Sequence, residues 1–378
     1  MKEIDYILSF NIKGSSSGKE KASSEKIKYL QRLSNLHTYT LDAVSSSKSF
    51  KSVKMIILDL YYLVHVIFTR RRKPDLIFAR SNFHFGPFII SKIYKIPLIN
   101  EVHGDILDEG KTLFKDSFLK RNLGFIWHHY WLFFLKRSNG LIFNNSLLEK
   151  HYKKHYLRKT ALTITIHNGC DPEFFYPLDK DEARGQLGLE KDVTYLLFIG
   201  SISRWHGVEN LLETARYIKQ KKDDREIKLL IVGGYDEDYL HKLKKTYNNA
   251  GIIFTGETPK ADALYYINAA DLCLLPVNDI RISPGSPLKL FDYAACGKPI
   301  ISQKSTVGYS DLIEKYSLGI SCDFTSHREA ASVILQFLHD CNEDQYKYHN
   351  RKIAEKYLSW EIILKKWLEF GELVTTAK

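Results

Sequence analysis

The stretch that decides the fold is Ser283–Ser302, SPGSPLKLFDYAACGKPIIS. Ser286 is a residue type preferred at helix N-caps, and Pro287 suits the first helical position because its fixed φ is already helical. Gly297 and the nearby Pro299 predict the end of that helix. The apolar run that follows predicts a short buried strand. A loop, a helix and a strand in this order are typical of an α/β protein.

The start of this helix predicts an anion site. Gly285 lets the backbone approach a ligand closely, and the first helical amides, at Leu288 and Lys289, have no acceptor within the helix. Lys289 adds a positive charge, and Asp292, one turn later, could accept hydrogen bonds from hydroxyl groups. The cation and the helix dipole suit a diphosphate, and the carboxylate suits a ribose. The alternative is an ordinary core helix with a surface lysine–aspartate pair.

Composition limits the classes of function. A chain of 378 residues fits two domains, and a net charge of +11 attracts anions such as nucleotides, nucleic acids or acidic lipids. No nucleic-acid-binding module is recognisable, so nucleic acid is not expected as a partner. The five cysteines lack any CxxC spacing, which argues against a disulfide framework or a zinc site and favours a reducing, cytoplasmic location.

Two segments are candidates for membrane contact. The longest apolar runs, 55–68 and 125–135, are too short to span a bilayer, and the N-terminus predicts a strand and not a signal peptide. Residues 119–137 predict a long helix whose tryptophans and flanking cations are typical of an interfacial helix, although packing on a sheet would also explain them. The basic run Arg70–Lys73 fits either a helix C-terminus or membrane contact.

Two successive α/β series are predicted, separated by a polar, turn-rich segment at 171–193. In the first series, Gly14 and Gly18 follow the first strand in a loop that could be a plain mobile connection or could hold an acceptor or phosphate. His103 follows a buried strand in a polar loop, where open α/β sheets place ligand groups, although a lone histidine is more often structural. In the second series, Asp236–Asp238 resembles a metal-binding acidic pair but lies at a helix start, where acids complement the dipole, and no metal site is expected.

Taken together, these blocks resemble the retaining glycosyltransferase family four, glycosyl transferases group 1. The resembling blocks are Glu101–Gly104, Asn168–Phe174, Gly200–Ala215, Leu230–Gly234, Phe254–Pro276 and Ser286–Pro299. The resemblance implies an α/β fold of two Rossmann-like parallel-sheet lobes facing a cleft, the GT-B architecture. It implies an N-terminal acceptor-side domain at 1–170, completed by a C-terminal helix at about 358–378, and a nucleotide-sugar-binding domain at 171–357.

The resemblance also implies roles for individual residues. His103 and Lys289 would be the catalytic residues, with Asp292 on the ribose and the amides around Pro287 and Leu288 on the diphosphate. The acceptor side would include Gly14, Gly18 and Arg80. The donor-binding residues would be Gly200, Ser201, Arg204, His206, Gly233, Gly234, Gly256, Glu257, Gly285, Ser286, Pro287, Leu288, Lys289 and Asp292.

Four positions depart from the family pattern. Pro284 stands where the family commonly has a glutamate, and Asp292 is one methylene shorter than the second acidic residue of that pattern. Ser201 and His206 stand where the family has an arginine and a lysine. Arg204 and Lys289 could replace these missing cations at the phosphates.

The expected function is transfer of a sugar from a nucleotide sugar to a lipid-linked saccharide acceptor, in surface polysaccharide biosynthesis. Retention of anomeric configuration and independence of metal and cofactor are implied by the resemblance. The location expected is the cytoplasm, at the inner face of the plasma membrane. Two alternatives are a degenerate transferase-like protein that only binds a partner or an acidic lipid, and a nucleotide-sugar epimerase.

Overall fold

The computed structural model describes residues 1–377 except 13–17, 44–50, 81–84, 106, 109–117, 203, 222, 235–236, 248–250 and 279–281. For residues 51, 52, 118–121, 123, 204 and 237 it describes only the backbone. The predictions at Gly14 and Asp236 therefore lie outside the described residues. The chain forms two compact units: residues 1–168, 281–285 and 360–378, and residues 169–280 and 286–359.

The first unit is built on a six-stranded parallel sheet, counted over the described residues, in the order β2-β1-β3-β4-β5-β6. Its central strands are buried along most of their length, as parallel strands covered by helices on both faces must be. The strands are β1 Glu3–Leu8, β2 Asn35–Thr40, β3 Leu76–Arg80, β4 Leu98–Val102, β5 Gly140–Phe143 and β6 Thr163–Thr165.

Helices connect these strands in the right order for a doubly wound α/β layer. The last of them, Trp360–Thr376, returns from the C-terminal end of the chain and buries Trp360 and Trp367. The helices of this unit are α1 Gly18–Leu33, α2 Lys51–Val64, α3 Phe85–Tyr94, α4 Phe118–Leu135, α5 Ser146–His155 and α14 Trp360–Thr376.

The second unit repeats the plan with the sheet order β12-β11-β10-β7-β8-β9, again counted over the residues described. All its strand pairs are parallel. The strands are β7 Thr194–Ile199, β8 Ile227–Val232, β9 Ile252–Gly256, β10 Leu272–Leu275, β11 Ile300–Gln303 and β12 Gly319–Cys322. The helices are α6 Lys180–Leu187, α7 Val208–Gln220, α8 Glu237–Thr246, α9 Lys260–Ala269, α10 Leu288–Ala295, α11 Ser310–Tyr316, α12 His327–Asp340 and α13 Glu343–Ile353.

Each sheet has one point where the strand order reverses direction. In the first unit it lies between β1 and β3, and in the second between β7 and β10. In open α/β sheets, ligands bind outside the carboxyl ends of the strands at such a switch point. The predicted α/β fold of two Rossmann-like units is confirmed, and the sheet order indicates where each unit would bind a ligand.

The basic run Arg70–Lys73 is partly structural. Arg70 donates to the carboxylates of Glu3 and Asp5 on β1, and its side chain is 6% exposed. Lys73 donates to the carbonyls of Val66 and Ile67, in the π-helical turn that follows α2. The rest of the run, Arg71 and Arg72, is exposed.

The two tryptophans of 119–137 pack on the core. The segment does form one helix, α4, in which Trp131 is 6% exposed within a core cluster and Trp127 is partly buried against another. The large apolar side chains that α4 exposes are Phe125, Ile126 and Phe133. Within the described part of the chain, no helix combines the length and apolar character needed to cross a bilayer.

Candidate active site

The helix of the deciding stretch begins one residue later than predicted. Pro287 is the N-cap of α10, with an extended ψ of 126° and no side-chain cap, so the prediction of Ser286 as N-cap is wrong. The helix ends at Ala295, and Gly297 has a φ of +70°, as its predicted role requires. The first amides of α10, at Leu288 and Lys289, therefore have no acceptor within the helix.

Lys289 has no carboxylate as an ion-pair partner among the described residues. Its side chain extends from the first turn of α10 to the face of the Phe198 ring on β7, with Nζ 3.9 Å from the ring centre. Neither a hydrogen-bond acceptor nor an acidic partner is found for it in the portion of the chain described. Burial lowers its pKa to about 7. Such a lysine is strongly favoured to bind an anion, because the anion would supply the missing counter-charge.

Gly200 makes room for this lysine at the end of β7. Its φ is +136°, a conformation that other residues rarely adopt, and a Cβ there would lie 2.8 Å from Lys289 Nζ. The carbonyl of Gly200 is in turn approached by Gly233, at the end of β8, where an added Cβ would lie 2.1 Å from that oxygen. Two bare loops are thus packed together beside the lysine at the switch point of the second sheet.

Gly234, Gly256 and Glu257 extend this surface. Gly233 N donates to Gly256 O over 2.9 Å, and a Cβ on Gly234 would lie 2.7 Å from Glu257 Cγ. The carboxyl ends of β7, β8 and β9 therefore bring together five of the predicted donor-binding residues. Their donor-binding roles stay predictions.

Ser201 and His206 lie in contact in the loop after β7. His206 Nδ1 is 2.7 Å from the carbonyl oxygen of Ser201 and 3.3 Å from its hydroxyl. The His206 ring also faces Phe198, at 6.3 Å between ring centres, on which Lys289 lies. Arg204 forms part of a 3₁₀ turn here, but its side chain lies outside the described residues.

Asp292 lies on α10 one turn beyond Lys289 and is partly buried. After burial itself, the negative charge of Asp292 is the largest influence that raises the pKa of the Cys296 thiol. The predicted turn residue Gly285 has a φ of +86°, and its carbonyl accepts a hydrogen bond from Asn145 Nδ2 over 2.9 Å.

In the first unit, His103 is held through both ring nitrogens. Nε2 lies 2.8 Å from Glu101 Oε2, and Nδ1 lies 3.2 Å from Asn144 Nδ2. Since the amide nitrogen Nδ2 can only donate, His103 accepts at Nδ1 and donates from Nε2. Burial, reinforced by the charge of Arg80, lowers the pKa of His103 to about 3, so the ring is neutral. Both nitrogens are engaged in these contacts, and the catalytic role of His103 stays a prediction.

Glu101 is the centre of a buried charged network that sequence reasoning missed. Its Oε2 also accepts from Lys26 Nζ on α1 at 2.5 Å, and its Oε1 accepts from the hydroxyl of Tyr6. Burial alone would raise the pKa of Glu101, but Lys26 and His103 outweigh it and hold the pKa well below its usual range. Burial also lowers the pKa of Lys26 to about 8. Lys26 lay inside a polar helix pattern, with no local signal for burial.

The acceptor-side predictions fall at the switch point of the first sheet. Arg80 ends β3 and lies 3.2 Å from Ser23 Oγ, with its guanidinium 5.4 Å from the centre of the Phe10 ring. Gly18 is the first residue of α1. The structure places Arg80 and Gly18 at the edge where His103 follows β4, and their acceptor-binding roles stay predictions.

Tyr293 is a supporting residue that the sequence did not reveal. It is fully buried on α10, and its hydroxyl accepts from the backbone N–H of Ile199 over 3.0 Å. This bond ties the helix that carries Lys289 to the end of β7, directly before Gly200. An isolated tyrosine in an amphipathic helix gives no signal for such a contact.

Two parallel α/β units in one chain, each with a switch point at the carboxyl ends of its strands, have the architecture called GT-B. Residues 179–354 match the family model described as "Glycosyl transferases group 1". The predicted resemblance to this family of glycosyltransferases is confirmed over residues 179–354.

Comparisons over the length of the chain agree. An uncharacterized glycosyltransferase of Methanocaldococcus jannaschii is 24% identical over 309 residues, which cover 79% of this chain and 75% of the relative. Sucrose-phosphate synthase from Thermosynechococcus elongatus has a similar fold, with a TM-score of 0.75, 15% identity and full coverage of both chains. HepE from Anabaena, solved in complex with UDP-glucose, gives a TM-score of 0.70 with 16% identity, also over the whole of both chains.

Proposed function

We propose that the chain transfers a sugar from a nucleotide-sugar donor to a lipid-linked saccharide acceptor, with retention of anomeric configuration and without a metal ion. The observation that carries this proposal is the position of Lys289. Its ammonium group lies at the first turn of α10, against Gly200 and over the Phe198 ring. A diphosphate bound there would receive the lysine and the first amides of α10 together.

The reaction requires charge to be stabilised on the leaving group. As the bond between the anomeric carbon and the diphosphate oxygen breaks, its electron pair goes to the diphosphate, and Lys289 lies where it would stabilise that charge. An acceptor hydroxyl oxygen forms the new bond to the anomeric carbon, and its proton passes to the departing phosphate oxygen. Attack on the face from which the diphosphate leaves gives retention. His103, with both nitrogens engaged, is not needed as a base.

Metal independence is supported by the charge already present. Lys289 and the positive end of the α10 dipole supply at the diphosphate the positive charge that a divalent cation would otherwise supply. The matching experiment is to measure transfer after exhaustive treatment with a chelator. We expect unchanged turnover, and activity restored only by added Mg²⁺ or Mn²⁺ would contradict this part of the proposal.

A lipid-linked acceptor is supported by the surface of the first unit. Its helices α2, α3 and α4, with the π-helical turn after α2, expose large apolar side chains, of which Phe68 is 80% exposed. The exposed Arg71 and Arg72 follow Phe68 and would favour an acidic membrane at the inner face of the plasma membrane. The exposed apolar residues are Val53, Ile56, Ile57, Leu60, Tyr61, Val64, Phe68, Ile89, Ile93, Phe125, Ile126 and Phe133.

The donor experiment is a screen of nucleotide sugars by thermal shift, begun with UDP-glucose because HepE was solved with that donor. Donors that stabilise the protein are then incubated with saccharide-lipid acceptors, and the anomeric configuration of the product is read by NMR. Transfer with retention is expected. Binding without transfer would instead identify a degenerate binding protein, and donor epimerised without an acceptor would identify an epimerase.

Membrane contact is tested with vesicles that contain anionic phospholipid. Phe68→Asp should reduce co-sedimentation with the vesicles, because it puts a charge into the apolar surface. Tyr348→Asp is the matched control, since Tyr348 is 72% exposed on α13 in the second unit. Equal loss in both variants, or no binding by the unmodified protein, would contradict membrane association.

A further inference from the structure

The first unit contains a cavity of about 500 Å³ beside helix α4. Helix α4, its C-terminal residues and the end of α5 form most of its wall. Its lining combines apolar side chains with basic and histidine side chains. The lining residues are Leu107, His128, His129, Leu132, Phe133, Lys136, Arg137, His155 and Tyr156. We call this the α4–α5 cavity.

We propose that the α4–α5 cavity binds a phosphate group carried on an apolar chain, as in the headgroup of an anionic phospholipid or a lipid phosphate. This site is separate from the donor site and does not depend on sugar transfer. The two halves of the ligand correspond to the two kinds of lining residue.

The positive charge at the cavity is available to a ligand. Lys136 is exposed, and no acidic or hydrogen-bonding partner is found for its ammonium within the described ranges. Arg137 is held in place, with its guanidinium 3.7 Å from the centre of the Phe133 ring and Nη1 donating to Phe133 O over 3.1 Å. A guanidinium fixed in this way recognises phosphate at a low entropic cost. His155 adds a further nitrogen donor.

The neighbouring carboxylates are partly supplied with donors. Asp105 Oδ1 accepts from the backbone N–H groups of Leu107 and Asp108, whereas its Oδ2, 3.5 Å from His151 Nε2, has no hydrogen-bond partner among the described residues. Asp108 Oδ2 accepts from the backbone N–H of Ile282 over 2.9 Å. Asp105 is therefore the acidic group that opposes an anion here, and the two cations Lys136 and Arg137 outnumber it.

His128 provides an independent sign of a missing ligand. It lines the cavity, is 1% exposed, and its Nδ1 has no hydrogen-bond partner among the described residues. A buried polar atom without a partner is rare because it loses its hydration without compensation. A ligand oxygen in the cavity would supply that partner, while Leu107, Leu132 and Phe133 would contact the apolar chain.

The test is calorimetric titration of the full chain, without donor, with dihexanoyl phosphatidic acid below its micellar concentration. Inorganic phosphate and dihexanoyl phosphatidylcholine are the comparison ligands. We expect one molecule of phosphatidic acid to bind, at least about tenfold more tightly than either comparison ligand, because only it offers both a dianionic phosphate and an apolar chain.

Variants assign the binding to the cavity. Lys136→Gln and His155→Gln should each weaken phosphatidic acid binding by about five- to twentyfold, the effect of losing one charge-assisted contact at a partly exposed site. Lys150→Gln, an exposed lysine on α5, is the matched control and should leave it unchanged. Circular dichroism checks that each variant is folded.

Three results would overturn the proposal. One is no measurable binding of phosphatidic acid, and a second is equal binding by the Lys136→Gln/His155→Gln variant. The third is equal affinity for one of the comparison ligands. Equal affinity for inorganic phosphate would show that the apolar chain is not recognised, and equal affinity for phosphatidylcholine would show that the negative charge is not recognised. The titration contains no sugar donor, so its outcome does not test the proposed transfer reaction. A failure of sugar transfer would likewise not contradict lipid phosphate binding at the α4–α5 cavity.

Discussion

The ammonium group of Lys289 lies 3.9 Å from the centre of the Phe198 ring and has an aromatic face, not a carboxylate, as its neighbour. A cation–π contact compensates a buried ammonium less completely than an ion pair does. The lysine is therefore held in position while its charge remains available to a ligand. Predictions on turnover, pH dependence and nucleotide binding follow from this arrangement and from the packing around it, and a prediction on stability follows from the buried network of the first unit.

The first concerns turnover. Lys289→Met should lower kcat by about 10²- to 10³-fold, the usual effect of removing one donor to a developing oxyanion, while the fold is kept. Lys245→Met is the control, because Lys245 is an exposed lysine on α8. Steady-state release of the nucleoside diphosphate measures both. Full activity in Lys289→Met would remove the lysine from the proposed mechanism.

The second concerns pH. Because burial lowers the Lys289 pKa to about 7, the free protein loses this charge as the pH rises above 7. Affinity for a nucleoside diphosphate should then fall between pH 7 and pH 9, by up to about tenfold per unit, since binding must take up a proton. Calorimetry across this range measures the slope, and Lys289→Met should show a flatter profile.

The lowered pKa of Lys289 also makes the stability of the fold depend on pH. The unfolded lysine titrates near 10.5 and the folded one near 7, so between these values the unfolded state binds more protons and stability rises with pH. The destabilisation is fully present below pH 7. Lys289→Met should therefore raise Tm more at pH 6 than at pH 9.5, and a constant difference would show that the lysine is not desolvated.

The third concerns the packed loops. Gly233→Ala places a Cβ 2.1 Å from Gly200 O at a φ of +131°, so we expect a loss of about 1–3 kcal/mol of stability and weakened nucleotide binding. Gly185→Ala on α6 is the control: an added Cβ there meets nothing within 4 Å, and a gain of about 0.5–1 kcal/mol is expected. Denaturant unfolding and calorimetry measure the two effects.

The fourth concerns the buried network of the first unit. Lys26→Met removes the charged partner of Glu101, which should cost about 3–5 kcal/mol because a buried carboxylate loses its counter-charge. Adding Glu101→Gln to that variant should recover part of the loss. Lys21→Met, at an exposed position on the same helix, should change stability little. Equal effects of Lys26→Met and Lys21→Met in urea unfolding would contradict the network.

Local sequence was sufficient where an element has a strong pattern of its own. The short apolar runs Tyr195–Ile199, Leu229–Val232 and Leu272–Leu275 predict buried strands, and β7, β8 and β10 begin within two residues of them. The edge strand β2, Asn35–Thr40, has no such pattern, because half of its residues are exposed. Its strand conformation depends on pairing with β1, which no local pattern encodes.

By itself, the sequence determined the two α/β series and the resemblance to the family. It also predicted an anion site at the turn before α10, because glycine, proline and lysine act there through their own backbone and charge properties. Only the tertiary structure decided that Lys289 lies over Phe198 and that Lys26 is buried against Glu101. The tertiary structure also places Glu101 and Asn144 against the two ring nitrogens of His103. These contacts join residues far apart in the chain, and their energies depend on burial, which is a property of the whole fold and not of a local pattern.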